Sequence, residues 1–122
     1  MTVEGIIINY LISQNISDIG NRVYAERPDN PETPYILVGR AGGSTRNLIN
    51  TYLIHTEVNV KRDEAHGQTK LYALNIQDDL LEAMEDIAAE TSLYRCRKNS
   101  DYDATRTDTG EYRYQALWEV TM

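Results

Sequence analysis

The residues of this chain that could do chemistry are His55, His66, Cys96 and scattered carboxylates, and none stands at catalytic or metal-binding spacing. A metal site needs several His, Cys or carboxylate ligands that converge. The two histidines and the single cysteine are far apart, His55 on the polar side of an alternating stretch and His66 ahead of a helical one. Both read as surface residues. Cys96 lies between Arg95 and Arg97, whose charge would lower a thiol pKa. No local signature makes it half of a Cys–His pair, so it reads as inert. The run GRAGGST at 39–45 resembles a phosphate loop only superficially: it lacks the Gly-Lys-Ser/Thr ending and leads into a strand. Glu57 and Lys61 share a strand face but stand roughly 13 Å apart, a poor start for a divalent-ion nuclease centre. No serine sits at a nucleophile elbow. The sequence reads as a non-enzyme without cofactor or metal.

Tyrosine is the distinctive residue type: the chain has nine Tyr and no Phe. A tyrosine offers a large contact area with a polar tip and is enriched where surfaces meet. Tyr10, Tyr72 and Tyr112 fit helix and strand stripes and read as half-buried filling. Tyr102, between Asp101 and Asp103, reads as a contact residue.

These residues need a scaffold, and 122 residues with 41% hydrophobic content suit one globular domain spanning 1–122. The net charge of −7 argues against nucleic-acid binding through a basic face. Six acids, Asp78, Asp79, Glu82, Glu85, Asp86 and Glu90, fall between Leu71 and Tyr94 with no Lys or Arg among them. They form a solvated helix face, or a wall that meets a basic neighbour, or one that repels passing DNA; the sequence leaves all three open. The apolar runs are too short for a membrane span. The first residues, MTVEGIII, show neither a basic leader nor a cleavage site, so no secretory signal is expected. The lone Cys96 suits a reducing compartment.

Periodicity places the elements. Thr2 caps a helix over 2–14 with a stripe of Val3, Ile6, Ile7, Tyr10 and Leu11, although Ile6-Ile7-Ile8 also suits a strand. Residues 15–21 read as a turn and Arg22–Glu26 as a short strand. Pro28, Pro31 and Pro34 make 27–34 a stiff extended connection. A strand follows in PYILVGRA, and Gly42 and Gly43 open a loop over 42–50 that reverses the chain. From 51 to 62, Tyr52, Ile54, Thr56, Val58 and Val60 share an apolar face, opposite Leu53, His55, Glu57, Asn59 and Lys61. The longest helix spans about 64–90, its start nearer Thr69 because Gly67 weakens the first turn. A strand at 92–98, a polar loop at 99–110 and a strand carrying Tyr112, Tyr114, Ala116, Trp118 and Val120 on one face complete the chain. The order α-β-β-β-α-β-β predicts an α+β fold, a mostly antiparallel sheet with two helices packed on one face.

The unit formed by PYILVGRAGGSTRN at 34–47, TYLIHTEVNVKR at 51–62 and KLYALNIQDDLLEAM at 70–84 resembles the tail terminator (tail completion) family of long-tailed bacteriophages. The resemblance is one of element order and composition over most of the chain. It implies a structural virion protein at the head-proximal end of the tail, assembled in the host cytoplasm. Such proteins form a homo-oligomeric ring, a hexamer, that docks on the last ring of tail tube protein and stops its polymerisation. The other face of the ring then binds the head-completion (neck) protein, and DNA passes through the channel without specific binding. On this reading the two polar loops carry the contacts: Arg40, Ser44, Thr45, Arg46 and Asn47 in and before the first, Asp101, Tyr102, Asp103, Arg106 and Asp108 in the second. The alternatives are a head-closure or head–tail joining protein of the neck and, in a different class, a small α/β ligand-binding regulatory subunit.

Overall fold

The computed structural model describes residues 1–46, 49–106 and 108–122, with 44–46 described by their backbone alone. Helix α1 (Val3–Ser13) begins where Thr2 Oγ1 accepts a hydrogen bond from the Gly5 amide, satisfying one of the free donors of its first turn. Val3, Ile7, Tyr10 and Leu11 are its buried stripe. The helix stops at Gln14, and Asn15 takes a left-handed φ of 52°. Strand β1 is only Val23–Tyr24 and pairs parallel with β2 (Tyr35–Arg46). Strands β3 (Ile49–Lys61), β4 (Arg95–Asp103) and β5 (Glu111–Thr121) complete a five-stranded sheet in the order β1-β2-β3-β5-β4, antiparallel everywhere except at β1.

Helix α2 (Lys70–Glu85) starts at Thr69, whose hydroxyl accepts from the Tyr72 amide. The expected single helix over 64–90 is divided in three. A 3-10 turn, Glu64–His66, ends at Gly67 with φ +73°, a conformation glycine adopts without the Cβ penalty. At the other end Asp86 separates α2 from a short α3 (Ile87–Glu90). The helices cover one face of the sheet. Ile36, Val38, Ile54, Val58, Ala116, Trp118 and Val120 meet Ile7, Leu11, Ile76, Leu80, Met84 and Ile87 in one core. Thr56 belongs to that apolar face because its hydroxyl accepts the hydrogen bond of the buried Trp118 Nε1, at 3.0 Å. The architecture is the predicted α+β one.

Three local readings are corrected. Of the segment expected to loop at 42–50, residues 42–46 and 49–50 are strand: β2 and β3 pair from Tyr35↔Asn59 to Arg46↔Ile49, with one bulge at Arg40/Gly42. Gly43 and Gly39 allow close approach rather than reversal, while a Cβ on Gly42 would meet open space. A Cβ on Gly43 would lie 3.3 Å from the Tyr52 ring, and one on Gly39 would lie 3.0 Å from His55 Nδ1. Second, the strand expected at 92–98 begins at Arg95 and runs to Asp103 across a bulge at Lys98/Ser100, so the first five residues of the supposed loop 99–110 are also strand.

Third, the polar side of β3 is not simply wet. Glu57 is 6% exposed and Asn59 1%. Arg113 Nε lies 2.7 Å from Glu57 Oε1 and 3.3 Å from Asn59 Oδ1, and Gln115 Nε2 donates to Glu57 Oε1 at 3.1 Å. The neighbouring Tyr35 is buried too, beneath the proline segment, where Arg27, Asn30, Pro31 and Thr33 border a cavity with Tyr35, Lys61 and Glu111. The segment read as a linker thus roofs one end of the open sheet face. Alternation alone could not show that a partner strand would supply an arginine.

Candidate contact surfaces

The two hairpins point opposite ways. Strand β3 is flanked by β5 from Thr51↔Thr121 to Lys61↔Glu111, ten residue steps or about 34 Å at the rise of an antiparallel strand. The β2–β3 pairing extends beyond the first of these pairs, to Arg46↔Ile49. The β4–β5 hairpin turns beyond the second, closed by the Arg106↔Glu111 bridge and by the Arg62 amide donating to the Gly110 carbonyl. Both regions read as contact loops from sequence are therefore hairpin ends at opposite poles of one sheet.

The expected contact residues divide accordingly. Arg40 is exposed, pairs with Glu4 at 2.8 Å, and its guanidinium sits 4.5 Å from the centroid of the Tyr52 ring. It ties the start of α1 to the base of the hairpin. Ser44, Thr45 and Arg46 lie on the strand leading to the first tip, and Asn47 is outside the described residues. Asp101, Tyr102 and Asp103 lie on β4, where Asp101 pairs with Lys98 at 3.0 Å and Tyr102 remains exposed. Asp103 accepts the Thr105 amide at 2.8 Å, and hydrogen bonds from Thr105 hold its carboxyl below the usual range. Arg106 and Asp108 stand at the second tip, both exposed.

The sequence reading missed that the poles differ in chemistry. Of the exposed large apolar side chains, Ile49, Tyr94 and Met122 gather at the β2–β3 end: the Tyr94 amide donates to the Thr121 carbonyl and the Met122 amide to the Asn50 carbonyl. No sequence pattern singled them out, because nothing in a strand pattern marks where its partners end. The other pole carries Arg106, Asp108 and the turn around Gly110.

The remaining chemistry is sparse. His66 is exposed and its Nδ1 is 2.6 Å from Asp63 Oδ2, an interaction that lowers the Asp63 pKa. His55, expected on the surface, is half-buried across Gly39. Burial pushes the Cys96 thiol up to about 11, opposite to the effect expected from its arginine neighbours. Its side chain shares a recess with Leu81, Lys98 and Trp118, so desolvation of the thiolate wins. Among the described residues no group of His, Cys, Asp or Glu is placed to hold a metal ion, and no helix is long and apolar enough to cross a membrane.

No family model and no curated protein matches the sequence. The fold is nonetheless shared. A chain of a solved structure titled "Virion of native gene transfer agent (GTA) particle" superposes with a TM-score of 0.70 at 11% identity, over 98% of this chain and 92% of that one.

Proposed function

We propose that this protein is a structural component of a phage-like virion, a tail terminator that assembles as a ring between the tail tube and the head. The observation that carries the reading is the placement of two chemically different hairpin ends at opposite poles of one rigid sheet. A ring of such subunits with the strands along its axis presents one pole on each side. The apolar pole suits a lasting joint and the polar pole a wetter one. The resemblance of the fold to a chain of a gene transfer agent virion supports the same context. Ring closure needs only head-to-tail surfaces, and the net charge of −7 suits a conduit that passes DNA without holding it.

The test is electron microscopy of lysates of a phage carrying a nonsense mutation in this gene. Overlong tails of variable length beside DNA-filled heads are expected. Tails of normal length lying free beside full heads would move the protein to the neck as a head-closure component. Complete, infectious particles would remove it from tail assembly altogether.

A further inference from the structure

Among the described residues, the six acids of α2 and α3, Asp78, Asp79, Glu82, Glu85, Asp86 and Glu90, take part in none of the ion pairs. Asp79, Glu82 and Asp86 line, with Ile16 and Ala83, an open groove of about 230 Å³ where the end of α1 meets α2. On the helix the groove acids turn toward α1. Glu85 and Leu81 turn the other way, toward Cys96 and Lys98 of β4.

The chain also carries a cationic strip. Arg95, Arg97 and Lys98 fall within four residues of β4, the strand that ends the sheet and has no neighbour on its outer side. All three are exposed, and so is Tyr94, at 80%. Arg97 and Lys98 have intramolecular partners in Glu119 and Asp101, while Arg95 forms none of the ion pairs. Cations on an edge strand discourage the addition of another strand. They leave side-chain docking onto an acidic surface open, and Tyr and Arg are the residue types that anchor protein interfaces.

We infer that Arg95 and Arg97, which share one face of the edge strand, dock from one copy into the α1–α2 groove of a second copy of this chain, among Asp79, Glu82 and Asp86. The two patches are unlike and each copy carries both, so the contact is heterologous and repeats from copy to copy, as ring closure requires. It also gives the unneutralised helix face its basic neighbour. This inference rests on the ring reading and names the surfaces that would close the ring.

The experiment uses the purified full chain and native mass spectrometry in volatile buffer at rising ionic strength. The variants are R95E/R97E, D79K/E82K and the combined exchange of all four charges. Each partial variant should associate at least about thirtyfold more weakly than the wild type, the least that losing a hot-spot residue costs. The distinctive outcome is the mixture. R95E/R97E retains its groove only and D79K/E82K its strip only, each facing a wild-type counterpart on the other chain. The reversed strip of the first is likewise complementary to the reversed groove of the second, so a one-to-one mixture should regain larger assemblies, and the combined exchange should do so alone. Unchanged circular dichroism and melting of the variants excludes unfolding as the cause. Rings that persist in both partial variants would overturn this interface and leave the ring standing. A wild-type chain that stays monomeric both free and on purified tail tubes would overturn the ring reading and this inference with it.

Discussion

At the level of single residues, the two most informative side chains are ones whose surroundings reverse what their neighbours in sequence suggest. Cys96 follows an arginine and precedes another, yet burial pushes its thiol up to about 11. A thiol whose pKa is raised carries little thiolate near neutrality, more than about a hundredfold less than a free cysteine. Iodoacetamide should therefore modify it slowly, with a rate that keeps climbing about tenfold per pH step beyond the pH where a free thiol levels off. Rapid modification at pH 7.5 in the folded chain would show that the arginines govern the thiol after all. Glu57 makes the complementary point. It is nearly enclosed, and Arg113 and Gln115 are the groups that satisfy it. Arg113→Ala should cost about 3 kcal/mol in urea unfolding, because it strands a buried carboxylate. Removing both side chains in an Arg113→Ala, Glu57→Ala variant should cost less than the sum of the single changes. Strict additivity would mean that the pair is not coupled.

At the level of elements, sequence periodicity located what depends on one segment and misjudged what depends on two. Helix α1, the start of α2 at Thr69 and the apolar faces of β3 and β5 were all legible, since capping chemistry and side-chain spacing are local properties. The hairpin β2–β3 was not. Gly42, Gly43 and Ser44 carry turn composition, but pairing with Thr51–Leu53 keeps them extended. The same holds for Asn99–Asp103, where Leu117–Tyr114 of β5 hold a polar stretch as strand. Of the candidate contact residues, Arg106 and Asp108 lie at the second tip and Asp101, Tyr102 and Asp103 on β4, whereas Arg40 lies between Glu4 and Tyr52, a pairing no spacing rule reveals. The start of α2 offers a clean check. Thr69→Ala removes the hydroxyl that accepts the Tyr72 amide and should lower stability by about 1 kcal/mol, with Thr69→Ser recovering most of it. Equal melting of Ala and Ser variants would show that the 3-10 turn before it, not the cap, sets where the helix begins.

At the level of the whole molecule, the argument turns on one sheet serving two joints. Its strands are long enough to separate the two tips by about 34 Å, and helices on one face brace them over a common core. A change at one tip therefore has no short route to the other, and the two joints should fail independently. Ile49→Asp puts a charge into the apolar pole, where Ile49 is about half exposed and its replacement leaves the core untouched. Arg106→Glu with Asp108→Lys inverts the charges of the other tip, again on exposed side chains. Phage carrying the first change should lose one joint and phage carrying the second the other. One set would show tails of uncontrolled length and the other finished tails without heads, each with normal yields of folded protein. The apolar pole is the one expected to contact the tube, because a joint that must stop polymerisation for good is better served by buried apolar area than by a charged rim. If both variants give the same defect in electron micrographs, the poles do not divide the work between them, and the contacts must lie along the flanks of the subunit.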